Sequence, residues 1–263
     1  MDDVFFTSRG KRKASQIRRV PGGSRVRRAD AGWEMLRLGT QSWTSLPGAP
    51  PAADEAAADG GWQSWCTWNN GAAQPIVSFE ARWTVPVAPV TANGQTIYLF
   101  NGLLDAGGTH ILQPVLQWGR SPAVGRTDAW GLSSFWVGGQ NDMMFTTDWV
   151  AVAPGDVVTG RMTVNPQGNG LVSCTTEFDG HPATQLTAEN LPPLVECVLT
   201  LEAYATGAGA PYPAASFTEF DGVIIAPAAV ASTVKWAPNG GAIIKTDGGE
   251  GAVVDVVYPV AGA

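Results

Sequence analysis

Residues 98–118 constrain the fold more than any other stretch of this chain. Apolar segments at 98–101 and 110–118 flank a turn rich in glycine and aspartate, the expected pattern of two strands joined by a turn. Gln113 and Gln117 interrupt the second segment, and the two-residue period of a strand puts both on one face. An amide buried without partners costs roughly 1–3 kcal/mol, so both side chains need hydrogen-bond partners or a wet cavity.

Two interpretations of these amides stay open at this point. Either they hydrogen-bond across a sheet with no further role, or they line a functional cavity. Pro114, next to Gln113, cannot donate to a strand ladder, which predicts an edge-like or bulged strand there. Bulges often occur beside active sites.

Short apolar segments bounded by turn residues follow one another from Trp62 onward. Residues 76–85 alternate polar and apolar side chains, as a half-buried antiparallel strand does. Further strands are predicted at 130–137, 143–152, 157–164, 170–178, 195–205, 214–225, 242–246 and 253–259. Regular strand spacing without intervening helices predicts an all-β sandwich or barrel.

Composition agrees with many strands and turns. The 263 residues include 32 glycines, 19 prolines and 11 tryptophans, and sandwiches of this length often form one domain. No apolar run is long enough for a transmembrane helix. No signal peptide is visible, so we expect a cytoplasmic protein or secretion by a non-standard route.

Charge is divided unevenly along the chain. Residues 1–30 carry nine basic and three acidic residues, whereas the remainder carries 7 basic and 20 acidic residues, a net charge of −13. The low apolar content of residues 1–30 predicts a disordered basic tail. The acidic body should repel nucleic acid, so only the tail is a candidate for such a partner.

The domain organisation follows from these shifts in composition. Residues 31–61 are predicted to be an extension that ends in a linker rich in proline and alanine at 48–61. Residues 62–263 are predicted to form the sandwich domain.

Cysteine and histidine usage excludes several kinds of site. Cys66, Cys174 and Cys197 form no CxxC motif, so neither a metal nor another cofactor is predicted, and small buried side chains are the preferred reading. Only His110 and His181 are present, and no Gly-x-Ser-x-Gly or His-Glu-x-x-His motif occurs. A Ser/His/Asp triad is therefore not expected.

Carboxylates on strands are the remaining candidates for catalysis. Glu196 and Glu202 share one face of an apolar strand at 194–205. A glutamate buried there without a nearby cation should have a raised pKa, which suits a general acid or base. The alternative is two exposed glutamates on a solvent face.

The order of short motifs from Trp68 to about residue 225 resembles the glutamic peptidase (eqolisin) family. The matching pieces are residues 68–71, 79–86, 100–103 with Asp105, 111–113, Trp130 with 135–136, 152–156, a strand glutamate and 213–217. The resemblance implies a concanavalin A-like β-sandwich of two antiparallel sheets, with a substrate groove on one concave face. At two places this chain departs from the family's pattern: Phe100 stands where a tryptophan is usual, and residues 132–136 lack a carboxylate.

The resemblance also implies a catalytic pair. Gln113, within Ile-Leu-Gln, matches the family's glutamine, and the glutamate is Glu202 or, as runner-up, Glu196. The implied reaction is peptide-bond hydrolysis in acid: the glutamate takes a proton from water, and the amide of Gln113 stabilises the oxyanion. The predicted substrate-binding residues are Trp68, Phe100, Asp105, Trp118, Trp130 and Trp136.

Two other functions are kept open. A non-catalytic, lectin-like module would use Trp118, Trp130 and Trp136 as stacking platforms for a polysaccharide, although large aromatics are usually core residues. A glycoside-cleaving enzyme would need two carboxylates roughly 5–9.5 Å apart. Its candidates are Glu177, Asp179, Glu196 and Glu202.

Overall fold

Strands occupy most of the chain in the computed structural model. The structure describes residues 4–7, 10–30, 32–46, 60–71, 75–92, 94–138, 143–207 and 211–259. The only helices in these ranges are the 3-10 helix Ala14–Gln16 and the short α1, Ala228–Ala231. No described helix is long and apolar enough to span a membrane.

The described residues contain 21 strands, numbered here in chain order. The first eleven are β1 (Val4–Thr7), β2 (Gly10–Lys13), β3 (Ile17–Arg19), β4 (Ser24–Ala29), β5 (Gly32–Leu36), β6 (Thr44–Leu46), β7 (Gly60–Asn69), β8 (Ser78–Thr84), β9 (Thr96–Asp105), β10 (Ile111–Ser121) and β11 (Gly125–Val137). The others are β12 (Met144–Thr146), β13 (Val150–Ala151), β14 (Val157–Gly168), β15 (Leu171–Phe178), β16 (His181–Leu191), β17 (Leu194–Tyr204), β18 (Phe217–Ala226), β19 (Ala237–Asn239), β20 (Ile243–Thr246) and β21 (Glu250–Val257).

Two large sheets form a sandwich, as the strand pattern predicts. Sheet I has the order β19-β7-β17-β9-β10-β11-β12-β3, with β13 also paired to β11. Sheet II has the order β20-β21-β18-β8-β14-β15-β16-β4-β5-β6. The hairpin of β1 and β2 is a separate two-stranded sheet.

One apolar core lies between the sheets, and strand alternation builds it. In β8, Phe79, Ala81 and Trp83 are buried while Glu80 and Arg82 point outward, as the period of two predicts. The same core takes Leu99, Leu116 and their neighbours from sheet I. The three cysteines are free and buried, which confirms the preferred reading of them.

The prediction of a disordered tail at residues 1–30 is wrong for the described residues. β3 pairs with β12 at the edge of sheet I, and β4 pairs with β16 in sheet II. Both pairings are parallel, so the expected wholly antiparallel sheets are interrupted there. Val26 lies among the arginines of β4 and is fully buried, because the sheet edges supply backbone partners that a composition argument does not see.

Residues 32–46 extend sheet II rather than standing apart from it. β5 pairs with β4 and buries Trp33 and Met35 in the core, and β6 pairs with β5. The predicted linker lies outside the described residues from 48 to 59, and Gly60 and Gly61 already belong to β7. The boundaries between the predicted domains remain predictions.

Strand β10 is central, not edge-like. It lies between β9 and β11, and Pro114 pairs in register with Ser134. The bulge comes later, between Trp118 and Arg120. There Gly119 has a φ of +85°, and a Cβ atom would lie 1.9 Å from the carbonyl oxygen of Gln95, so the sharp turn of the backbone needs glycine.

Candidate active site

Sheet I has a second apolar face, which is turned away from sheet II. We call this the site face. Its apolar members include Tyr98, Phe100, Val115, Phe135 and Val198, and they form a cluster separate from the core between the sheets. The two clusters exist because successive residues of β9, β10 and β17 point to opposite sides of the sheet.

Both predicted amides lie on the site face and are buried. Gln113 and Gln117 flank Val115 on β10. The side-chain nitrogen of Gln117 donates to the hydroxyl of Ser133 on β11. The amide oxygen of Gln117, Oε1, has no hydrogen-bond partner among the described residues. Unsatisfied buried acceptors are rare in folded proteins, and a catalytic role is one of the explanations for them.

Glu202 is the most deeply buried carboxylate of this face. Its exposed fraction is 0 %, and the indole nitrogen of Trp62 donates to its Oε2 atom at 3.2 Å. Glu196 lies on the same face of β17 but is only half-buried. The alternative of two solvent-exposed glutamates is therefore wrong for Glu202.

The strand registers decide which amide faces which glutamate. Glu202 is opposite Tyr98 on β9, and Tyr98 is opposite Gln117 on β10. These residues form one row across three adjacent strands. The backbones of Glu202 and Gln117 are therefore separated by two strand spacings, about 10 Å.

Gln113 belongs to another row. The β9–β10 register is constant from the pair Leu112–Leu103 to the pair Val115–Phe100, so Gln113 lies opposite Gly102. Gly102 in turn lies opposite Val198 on β17. Four residues separate this row from that of Glu202, which amounts to about 14 Å along the strands and about 17 Å diagonally.

Glu196 is closer than Glu202 to the row of Gln113. It pairs with Leu104, only two residues along β9 from Gly102. That difference is about 7 Å along the strand. The site face thus offers two different glutamine and glutamate pairs, Gln113 with Glu196 and Gln117 with Glu202.

Two tyrosines flank Glu202. Tyr98 lies opposite it, and Tyr204 lies two residues further along β17, on the same face. Burial raises the pKa of Tyr98 well above the usual value, and the charge of Glu202 adds to this rise. The pKa of Tyr204 is raised by the same two causes and by a hydrogen bond to Glu202. Both phenols therefore stay protonated and remain hydrogen-bond donors.

The two hydroxyl groups bind a stretch of backbone. Tyr98 donates to the carbonyl oxygen of Phe6 at 3.1 Å, and Tyr204 shares its one hydrogen between the carboxylate of Glu202 and the carbonyl oxygen of Thr7, which is 2.7 Å away. These consecutive carbonyl groups belong to β1, an extended strand that lies across the site face. The face thus holds a peptide backbone through the two tyrosines that flank a buried carboxylate.

Most of the predicted substrate-binding residues lie elsewhere. Phe100 is on the site face. Asp105 instead organises the turn after β9, where its carboxylate accepts from the hydroxyl of Thr109 and the backbone of His110. The four predicted tryptophans all belong to the core between the sheets: Trp68, Trp118, Trp130 and Trp136.

The burial of these tryptophans contradicts the lectin-like interpretation. Trp118, Trp130 and Trp136 are no more than 6 % exposed, so no sugar ring can stack on them. They pack against each other and against neighbouring aromatics, for example Trp118 against Trp130 with ring centroids 5.5 Å apart. Large aromatic side chains stabilise such a core because of the area that they bury.

The glycoside-cleaving interpretation finds no carboxylate pair on the site face. Glu177 and Asp179 belong to the β15 end of sheet II, where they contact Gln185 and Arg161. Glu196 and Glu202 are six residues apart on one strand, about 20 Å. No candidate pair on the site face therefore has the separation that the chemistry requires. Glu177 and Asp179 are two residues apart, about 7 Å, so that pair stays a prediction.

Sequence reasoning missed the two tyrosines, Trp62 and the strand that they bind. A usable signal was present for the tyrosines. Tyr98 is two residues from Phe100 and Tyr204 is two residues from Glu202, so each pair lies on one face of its strand. No signal of this kind identifies Phe6 and Thr7, whose contacts bridge more than 90 residues. Among the described residues, no cluster of three or more histidine, cysteine or carboxylate side chains could hold a metal ion.

Comparison with known proteins gives likeness of fold at low sequence identity. The structure is similar to that of Scytalido-glutamic peptidase with a peptide-based transition state analogue, at 12% identity, a TM-score of 0.47 and coverage of 76% of this chain and 100% of that chain. It is also similar to SCP-B, a member of the eqolisin family solved with the tripeptide Ala-Ile-His, at 12% identity, a TM-score of 0.42 and coverage of 77% and 100%. No family model and no curated protein sequence matches the chain.

Proposed function

We propose that this protein hydrolyses peptide bonds on the site face, with Glu202 as the general base. One observation carries the proposal: Tyr98 and Tyr204 hold two consecutive backbone carbonyl groups beside the buried carboxylate of Glu202. A face that already binds an extended backbone through its carbonyl groups has the recognition that a peptidase needs. The motifs that resemble those of glutamic peptidases favour the same class.

The proposed reaction uses Glu202 twice, first as a base and then as an acid, and a tyrosine hydroxyl in between. Glu202 takes a proton from a water molecule, and the resulting nucleophile attacks the carbonyl carbon of the scissile bond. The hydroxyl of Tyr98 donates to the developing oxyanion. Glu202, now protonated, then gives its proton to the leaving amine, so the carboxylate is regenerated.

The tyrosines suit the role of oxyanion donor. Because their pKa values are raised, they remain neutral donors at every pH at which a glutamate can act as a base. A fixed donor in a site from which water is excluded is typically worth about 3–4 kcal/mol in the transition state. No cofactor takes part in the proposed reaction.

The role predicted for Gln113 fits a second arrangement. The backbones of Gln113 and Glu202 are about 17 Å apart by register, so one substrate carbonyl group does not contact both side chains. If Gln113 is the oxyanion donor, Glu196 is the better candidate for the base, because it is two residues from the row of Gln113. The first arrangement is preferred because Glu202 adjoins the bound backbone.

The substrate is proposed to be an extended peptide with apolar side chains. Trp62 and Phe100, whose ring centroids are 6.4 Å apart, lie beside Glu202 and Tyr98 and supply apolar walls. An optimum below neutrality is part of the proposal, since the family that the motifs resemble hydrolyses peptides in acid.

The test is cleavage of a denatured protein substrate from pH 2 to pH 8. Because β1 covers the site face, the assay uses the wild type and a variant, Phe6→Asp, that loosens this strand by removing the ring stacked on Tyr204. We call it the opened variant. Glu202→Gln and Glu196→Gln are made in both backgrounds. Cleavage that depends on one of the glutamates supports the proposal, and absence of cleavage by folded protein in both backgrounds overturns it.

A further inference from the structure

We propose that β1 is an internal pseudosubstrate, which occupies the peptide-binding part of the site face and must leave before another peptide can bind. The regulatory consequence, control of cleavage, rests on the proposed function. The occupancy itself is a matter of binding and can be tested without any catalysis.

The manner in which β1 is held is that of a bound peptide. Its carbonyl groups at Phe6 and Thr7 accept hydrogen bonds from side chains of the face, and neither strand of the hairpin joins the ladder of sheet I. Recognition of main-chain carbonyl groups does not depend on the side chains of the bound segment. A foreign peptide could therefore make the same two hydrogen bonds.

Aromatic side chains supply the remaining contacts. The ring of Phe6 stacks on Tyr204 with centroids 4.7 Å apart and an interplanar angle of 9°. The guanidinium of Arg120 lies over the ring of Phe5, 4.9 Å from its centroid. Both phenylalanines pack against the apolar cluster of the site face. The carboxylate of Glu202, on the same face, is fully buried.

The hairpin is suited to leaving. It consists of strands of four residues each, paired from Val4–Lys13 to Thr7–Gly10. A two-stranded hairpin is marginally stable on its own in water. Its retention must therefore come from the contacts with the face, together with a hydrogen bond of 3.2 Å from the buried Arg12 to the carbonyl oxygen of Gly138.

Space for a longer peptide continues beyond β1. A cleft of about 380 Å³ adjoins Phe5 and is lined by Arg120 and Arg126. A peptide that replaced β1 could extend into this cleft, where the guanidinium groups favour an acidic side chain or a terminal carboxylate.

The first part of the test measures release of the hairpin in the full-length protein. Hydrogen exchange of residues 4–13 is compared between the wild type, the opened variant and a control, Leu38→Asp. Leu38 is 77 % exposed and lies outside the hairpin, so its replacement adds one negative charge, as Phe6→Asp does, without touching the site face. We expect fast exchange at residues 4–13 in the opened variant alone. Unchanged protection in that variant would overturn the proposal.

The second part measures binding of a labelled peptide with the sequence of residues 4–13. We expect the opened variant to bind it at least tenfold more tightly than the wild type or Leu38→Asp does, and to bind a peptide with aspartate in place of Phe6 at least tenfold more weakly. Equal binding by the wild type and the opened variant would refute the proposal, and so would absence of binding once the hairpin is released. Binding without cleavage would support the pseudosubstrate and remove only the proposed peptidase function.

Discussion

Gln117 shares a register row with Glu202, and only Tyr98 lies between them. Gln113, the amide that the family motifs single out, lies four residues away along the strand. The distinction has a consequence for catalysis, because general-base attack needs the carboxylate and the oxyanion donor at one carbonyl group.

The first prediction concerns the choice of base. In the opened variant, Glu202→Gln should lower kcat/KM for peptide cleavage by about 10²–10⁴, the usual contribution of a general base. Glu196→Gln and Gln113→Ala should change it little. Steady-state kinetics on a fluorogenic peptide measure this. The reverse pattern, with loss in Glu196→Gln and Gln113→Ala, would show that the second arrangement is the active one.

The second prediction concerns the tyrosine donor. Tyr98→Phe in the opened variant should lower kcat by about 10²-fold, because it removes a fixed donor to the oxyanion. The pKa of Tyr98 is raised well above its usual value, so the phenol is protonated throughout the working range and the loss should not depend on pH. Tyr258→Phe is the matched control, since its hydroxyl is also buried but contacts Thr218 of sheet II. Equal effects of the two variants would exclude a specific role for Tyr98.

The third prediction tests whether residues 17–36 belong to the folded domain. Trp33 contacts Trp136 at 4.7 Å and Phe145 at 5.2 Å between ring centroids, so Trp33→Ala should lower the free energy of unfolding by about 3–5 kcal/mol. Trp43 is only partly buried and has Arg27 over its ring at 3.9 Å. Trp43→Ala should therefore cost about 1 kcal/mol or less. Urea unfolding measures both values, and similar small losses would mean that this segment is dispensable for stability.

The fourth prediction is a loss of stability in alkali. Burial raises the pKa of Cys66 from 9.0 to about 12. Because the folded state holds the thiol proton more tightly than the unfolded state does, the protonated thiol contributes to the free energy of unfolding. This contribution is intact below pH 9 and is lost as the pH rises towards 12, by about 1.4 kcal/mol for each pH unit. The free energies of unfolding of the wild type and Cys66→Ala should therefore converge by about 2 kcal/mol between pH 8.5 and pH 10.5. A constant difference over this range would contradict the assigned burial of the thiol.

Much of the fold could be read from local patterns. The alternation in 76–85 predicts which side of β8 is buried. The same period of two puts Gln113 and Gln117 on one face of β10, and Glu196 and Glu202 on one face of β17. These inferences succeed because a strand has a period of two whatever surrounds it. The prediction at Pro114 failed because a single missing donor can be tolerated in a central strand, whereas the bulge is at Gly119, where the backbone of Gln95 approaches closely.

The sequence by itself determined that this is an all-β chain and which residues share a face of each strand, because side-chain alternation is a local property of the backbone. Only the tertiary structure decided that Glu202 aligns with Gln117, that Trp118 and Trp130 are core residues, and that the basic segment folds. Register between strands that are distant in the chain depends on the packing of the whole sandwich. The contact of Phe6 with Tyr98 across 92 residues depends on the same packing. No local sequence pattern therefore contains the register or this contact.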